Sequence, residues 1–513
     1  MSSSIAIVVA IVATTYVFLW AIALLTHDPR EPKAVAGTIP YVSTLIGMLT
    51  QEGRYYVLMR DKYRLPIYTL KVPGPSIYVV NSLSLVQRID RHISTVAFTP
   101  IQARLCDKGM RVSKAGMAEI AGDKLLREDG YLRQFPRYAA VGASPGPGLD
   151  SLNRAAVDVF AASLDAIAAQ GPTTIKLYDW IRHEIFIATT ESTYGHGNPF
   201  RDVKNEQTWF EYEKGILTLL LGIFPSVFAR RSLKACYVLV TELNRYLEEK
   251  KDRDASVFLK QRIKHNTDFG LSLADTAHTE VGQITAGIVN TAPCCFWLVW
   301  QIFSHPPILE DCRKEAAQLV RRSSDGVYTI DLAQVRTSCP TLLSTWQEVL
   351  RFHGTSVGTR IVQEDTIVDD QFLLKKGGVV LMPNAVIHSD EALWGSDAKV
   401  FNHKRFLKKF DKSGIGRPTT AFRGFGGGHV VCPGRYFVTT EVLSFLTLLL
   451  VRFDVRPIGG KWVEPSKKSA MDRACPLPKT DVEIELIPKS NQAWRVVFSE
   501  ASKEVDVFAE NIG

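Results

Sequence analysis

From Phe422 to Phe437 the chain reads FRGFGGGHVVCPGRYF, with Cys432 behind three glycines and ahead of a Pro-Gly pair. A thiolate in such a place is a metal ligand by type: it binds iron and pushes electron density onto it, which favours O–O cleavage. Gly426, Gly427 and Gly428 can adopt φ > 0 and so let backbone approach a metal. The following run, TTEVLSFLTLLLVRF, has helical apolar spacing. A helix starting after Pro433 would aim its first amides at the sulfur and lower its pKa. Two other chemistries fit the stretch: a buried structural cysteine in a glycine turn, and a phosphate-cradling loop before a helix. The second lacks the G-K-[ST] and the preceding strand of a nucleotide loop.

Stepping outward, the chain must hold that loop inside a large core. It has 513 residues and a formal net charge of +8, with no dense Lys/Arg run that would point to nucleic acid. A mild basic excess suits an acidic protein partner or an anionic membrane. The eight cysteines form no C-x-x-C pair and stand near no histidine at zinc spacing, so a reducing compartment is expected for the folded part. The vicinal Cys294 and Cys295 read as core packing.

Ile5 to Leu25 is an uncharged apolar run, about the ~20 residues that span a bilayer core. A cleaved signal peptide competes, but the run has no basic n-region. Arg30 and Lys33 follow it, which puts the body on the cytoplasmic side. We therefore divide the chain into an anchor (1–26), a Pro-rich hinge (27–40) carrying Pro29, Pro32 and Pro40, and one helix-dominated catalytic domain (41–513). Within that domain PIYTLKVPGPSIYVV predicts a β-hairpin and LDSLNRAAVDVFAASLDAIAA an amphipathic helix. Gly215 to Ala229 is apolar and interrupted by Pro225, so it is either core or an interfacial dip. Arg230 to Arg262 reads as a solvated charged helical region. Val281 to Phe303 reads as a long helix through the protein centre, bent at Pro293. Strands are expected at Thr359–Val368, at Gly378–Met382 and between Lys479 and Phe498.

The cysteine stretch resembles the haem-binding loop of the cytochromes P-450, F-G-x-G-x-x-x-C-x-G, with Phe425, Gly426, Gly428, Cys432 and Gly434 in register. Glu348 and Arg351 in TWQEVLRFHG, with Arg405 in FNHKRF, match the family's structural Glu/Arg/Arg lock. Arg360 in GTRIVQED stands where the family binds a haem propionate. The resemblance covers essentially the whole chain. It implies a mainly α fold with small β-sheets, a triangular helical prism enclosing haem b, with Cys432 as the axial iron ligand. It also implies an endoplasmic-reticulum membrane anchor and a cytosolic catalytic domain. Electrons would come from NADPH through the flavin of NADPH-cytochrome P-450 reductase, with cytochrome b5 as a further partner. Lys408, Lys409 and Arg435 are candidates for docking that donor, with solvated surface as the alternative.

Two departures from the family pattern shape the functional expectation. Val430 stands where a propionate-binding Arg or His is usual, leaving His429 or Arg423 as substitutes, and no W-x-x-x-R occurs between Thr99 and Asp150. In the central helix the usual acid and first alcohol are Val289 and Asn290, followed by Thr291, in AGIVNTAPCCFW. That pattern is similar to the branch holding sterol 7-alpha-hydroxylases and prostacyclin synthase, and the loop is similar to fungal natural-product members. Asn290 and Thr291 are the candidate catalytic residues, Asn290 as a water-orienting amide or as a mere backbone partner at the bend. Gly354 to Gly358 and Met471 to Pro476 are candidate pocket loops, apolar or small, so a lipophilic substrate is expected. The implied reaction is monooxygenation, most simply hydroxylation, of a terpenoid, alkaloid or steroid scaffold. The alternatives are a reductase-independent haem-thiolate isomerase or dehydratase, and a non-enzymatic membrane haem protein.

Overall fold

The computed structural model describes residues 2–500 apart from 36, 38, 52, 223, 325, 408–418, 469–472 and 491. Helices dominate it. Thr291–Ser304 and Arg435–Arg452 are apolar on nearly every face, and a helix of that kind has to sit inside the protein. They form the main core with Pro147–Gln170, Leu177–Tyr194 and Pro340–Phe352 packed around them. Helix Arg230–Glu248, by contrast, buries one stripe that includes Ala235, Leu239 and Leu243, at the four-residue spacing of a one-faced helix.

A six-stranded sheet flanks the helices in the order Ala34–Val35, Ile67–Leu70, Ile77–Val80, Val379–Pro383, Val357–Val362, Val96–Ala97. The expected hairpin is its Ile67–Leu70/Ile77–Val80 pair, antiparallel with Ile67 opposite Val80. The C-terminal strands are Glu483–Pro488 and Trp494–Val497.

The N-terminal helix Ser2–Leu25 and the central segment Leu273–Ser304 are both long and apolar enough to cross a membrane. None of the first span is buried, whereas 83% of the second is, so the second is the protein's own interior.

Three expectations change, and one open reading is resolved. The central helix does not bend at Pro293: it ends at Ile288 and restarts at Thr291. Pro293 has no N–H to give the carbonyl four residues back, and its ring crowds that carbonyl, so the break falls at Val289 and Asn290. The Pro-rich stretch is more than a hinge, because its end is docked. Ala34–Val35 pairs in parallel with Thr69–Leu70, and Tyr78 Oη donates to Glu31 Oε2 at 2.7 Å. Gly215 to Ala229, read as either core or an interfacial dip, divides between the two: Leu219 and Ala229 join a buried cluster and Ile216 packs against it. Leu221, Phe224, Val227 and Phe228 are exposed around two short helices, Ile216–Leu221 and Pro225–Phe228. Finally, the region ending at Arg262 is not wholly solvated, since Arg262 is buried and its Nε donates to Glu280 Oε1 at 2.9 Å.

Candidate active site

The cysteine stretch folds as a two-residue-strand hairpin followed at once by a helix. Gly426 pairs with Val431 and Gly427 with Val430, and the helix begins at Arg435. Gly426 has φ +88° and Gly428 φ +57°, conformations that favour glycine. Gly427 has no such φ and serves differently: a Cβ there would lie 2.4 Å from Arg423 Nη1. The Cys432 N–H donates to Phe425 O at 2.9 Å and closes the hairpin.

All eight cysteines are free; seven are buried and Cys432 alone is partly open. Burial raises the Cys432 thiol pKa, while the Gly434 amide and the Arg435 charge pull it down. The expected amide effect is present, but it does not decide the direction. Arg435 is held within the loop rather than free for a partner: Nη1 donates to Cys432 O at 3.2 Å and Nη2 to Tyr436 Oη at 3.1 Å. Lys408 and Lys409 lie outside the described residues.

Glu348, Arg351 and Arg405 meet in full burial. Arg351 grips Glu348 with two N–H donors at 2.7 Å, and Arg405 Nε donates to Glu348 Oε1 at 3.0 Å. The two guanidiniums also donate to the carbonyls of His388, Ala398, Trp394, Asp397 and Val400 and so tie the 388–400 segment to the cluster. From this cluster a link runs to the cysteine hairpin through His388. Its Nδ1–H donates to Arg351 O at 3.1 Å, and its Nε2 accepts the Arg423 N–H at 3.0 Å. Burial, then the Arg351 charge, lowers the His388 pKa to about 3, so the ring stays neutral and keeps that tautomer. Asn384 Nδ2 adds a bond to Arg423 O at 2.8 Å. Neither His388 nor Asn384 carries a spacing signal in the sequence.

Arg360 and Arg423 are both buried and share one carboxylate, Asp90. Arg360 Nη2 donates to Oδ1 at 3.2 Å and Arg423 Nη1 to Oδ2 at 3.1 Å. Burial is the larger effect on Arg360 and lowers its pKa; Arg423 adds to this and Asp90 opposes it. Two guanidiniums with one carboxylate leave a positive charge over, and a buried charge calls for a partner. His429 instead lies at the exposed hairpin turn. Asp90 carries no sequence signal for this role; it lies in a charged helix, Leu83–Arg91, like many surface acids.

On the central helix, Ala286 and Asn290 are exposed one turn apart in an otherwise buried segment, so they line an open space. Thr291 is buried, and its hydroxyl donates back to Gly287 O at 2.8 Å. Asn290 Oδ1 accepts the Ala474 N–H at 2.8 Å, so the amide partners the neighbouring loop and not the bend itself. Val289 is buried. Cys294 and Cys295 are both buried in the core. In the two pocket loops, the Thr355 N–H donates to Ala474 O at 2.9 Å; residues 471 and 472 lie outside the described set.

The donor set fits a haem. It offers one accessible thiol on a glycine-shaped hairpin and a buried arginine pair with charge left for an anionic substituent.

Comparison with known proteins agrees with this chemistry. The family profile described as Cytochrome P450 matches residues 220–483. A curated relative, cytochrome P450 monooxygenase nodJ of Hypoxylon pulicicidum, is 32% identical over 87% of each chain. Mouse (Mus musculus) cytochrome P450 7B1 is 24% identical over 85% of this chain and 87% of its own. The 7-alpha-hydroxycholest-4-en-3-one 12-alpha-hydroxylase of Oryctolagus cuniculus is 21% identical over 83% and 87%.

Proposed function

The chain belongs to the cytochrome P450 family of monooxygenases, and on that premise we propose that it oxidises a lipophilic natural-product scaffold, a terpenoid, alkaloid or steroid, at the end of a membrane-anchored body. The observation that carries this reading is the single open thiol, Cys432, on a hairpin tied through His388 to the Glu348 cluster. Cys432 would ligate the iron, and Arg360 with Arg423 would take the propionates, Arg423 replacing the side chain that Val430 lacks. Haem held this way supplies oxygen activation, with electrons from NADPH through a flavin reductase. Glu348, Arg351 and Arg405 hold the ligand loop and touch no reacting atom. Asn290, beside Ala286 on the open side of the central helix, faces substrate and orients water or substrate by hydrogen bonding. Similarity to a 7-alpha-hydroxycholest-4-en-3-one 12-alpha-hydroxylase supports the steroid-like option among these scaffolds.

Residues 1–26 would hold the protein in the endoplasmic-reticulum membrane with the body in the cytosol. Phe224, Val227 and Phe228, exposed near Leu221, would add an interfacial contact.

The test is spectroscopic, then metabolic. Wild-type protein is expected to show the red-shifted Soret band of the reduced carbonyl complex, and Cys432→Ala to lose it. A wild type without the band would sink the proposal. Fed candidate scaffolds in a reductase-containing host, the enzyme should form products only with NADPH and O2. The buried, apolar Val289 in place of the usual acid favours a second reading, a reductase-independent isomerase or dehydratase. Turnover of a hydroperoxide without NADPH or O2 would select it.

A further inference from the structure

Four consecutive residues, Arg473 to Pro476, are tied to three different walls around Asn290. Arg473 Nη1 donates to Glu213 Oε1 at 2.8 Å, at the end of helix Val203–Glu213, and to Val289 O at 3.4 Å. The second bond supplies the donor that Pro293 cannot give to that carbonyl. Both members of the ion pair are buried. The Ala474 N–H donates to Asn290 Oδ1, and Thr355 holds Ala474 O and Arg473 O from the other side. Trp297 Nε1 donates to Pro476 O at 2.7 Å and closes the set.

An asparagine amide looks the same by shape in either orientation, but its partner here settles it. A backbone N–H can only donate, so the group facing Ala474 is the oxygen, and the NH2 end faces away from it. Asn290 is exposed on the same side as Ala286, so that NH2 end is offered to the open space.

We infer that the Glu213–Arg473 pair is a positioning clasp: it presses the Arg473–Pro476 loop against the break in the central helix, and the loop fixes Asn290 with its Nδ2 donor turned toward the substrate. Neither member touches the reacting atoms. The pocket then offers a neutral hydrogen-bond donor at this place, which selects a substrate carrying an acceptor oxygen, a ketone, ether or hydroxyl, near the oxidised carbon. An unfunctionalised hydrocarbon leaves that donor unpaired and is disfavoured. This inference rests on the proposed haem-thiolate reading.

Carbon monoxide is a probe that needs no known substrate. In the haem-loaded full-length protein, the C–O stretching frequency of the reduced carbonyl complex reports a donor or acceptor close to the ligand. A donor lowers it. Asn290→Leu removes the donor and should raise the frequency. Asn290→Asp keeps an oxygen for Ala474 but turns an acceptor into the pocket, and should raise it further. Arg473→Met and Glu213→Gln should move and broaden the band toward the Asn290→Leu position, with Arg473→Lys recovering part of the wild-type signal. A band that ignores Asn290→Leu overturns the amide's orientation. A band that moves with Asn290→Leu but ignores Arg473→Met and Glu213→Gln overturns the clasp. Absence of the red-shifted Soret band in wild type is the separate failure of the haem-thiolate reading itself. Once a substrate is in hand, Arg473→Met should lower product formed per NADPH about tenfold, the scale of one charge-assisted hydrogen bond.

Discussion

Removing the Glu348 carboxylate would leave Arg351 without a carboxylate in a site closed to water, while Arg405 would keep its second partner, Asp397 Oδ1 at 2.8 Å. Breaking a buried pair by deleting one partner costs about 3–5 kcal/mol, because the remaining charge has no solvent to turn to. Here the carbonyl acceptors of His388 and Ala398 soften the loss at Arg351 without neutralising it, and Asp397 continues to neutralise Arg405. We expect Glu348→Ala to unfold early in a denaturant titration and to fail to retain haem, while Glu348→Gln keeps the size and one acceptor oxygen, sets an NH2 against an arginine N–H, and falls between. Equal midpoints for Glu348→Ala and wild type would contradict the role assigned to the cluster. The sequence shows these three residues by motif. It does not show that His388 carries their order onward to Arg423, because that link is made by a ring nitrogen and a backbone N–H far apart in the chain.

At the scale of elements, the break in the central helix is the feature that composition alone misplaces. A proline inside a helix disturbs the carbonyl one turn before it, so the gap lies at Val289–Asn290 and not at Pro293. Pro293→Ala would restore an N–H for Val289 O and make the Arg473 bond redundant. In a double-mutant cycle, the stability cost of Arg473→Met should therefore be smaller in the Pro293→Ala background, with a coupling of about 0.5–3 kcal/mol. Additive costs would mean that Arg473 does not serve that carbonyl. Helix Ile216–Leu221 teaches the same lesson in another way: an apolar run can be core or surface, and only its packing partners decide.

Across the whole molecule, one buried acid links helix Leu177–Tyr194 to the cysteine helix. Glu441 is buried, and its Oε1 accepts the Thr189 hydroxyl at 2.8 Å. Burial raises its pKa from 4.5 to about 8, against a smaller opposing effect of Thr189. The sign follows from linkage. Between those two values the folded protein keeps a proton that the unfolded chain has lost, so rising pH favours unfolding. The contribution is fully present below 4.5 and is lost as pH passes through about 8. Melting temperature should fall from pH 6 to pH 8 by less in Glu441→Gln than in wild type, since the amide keeps an acceptor for Thr189 and does not titrate. Identical pH slopes in the two proteins would rule out Glu441 as the group responsible.

Read alone, the sequence pointed to Cys432 as the candidate thiol ligand, grouped Glu348 with Arg351 and Arg405, and showed the apolar N-terminal run and the helix-dominated class. The apolar run and the helical class are patterns that local physics reads directly, whereas the cysteine loop and the Glu348 cluster were legible through their resemblance to family motifs. Only the tertiary structure decided which arginine joins Arg360, which end of the Asn290 amide faces the pocket, and what holds it there. Those answers depend on Asp90, Ala474 and Glu213, residues 184 to 333 positions from the groups they bind, whose side chains and backbone acquire meaning only when the fold brings them within hydrogen-bond distance.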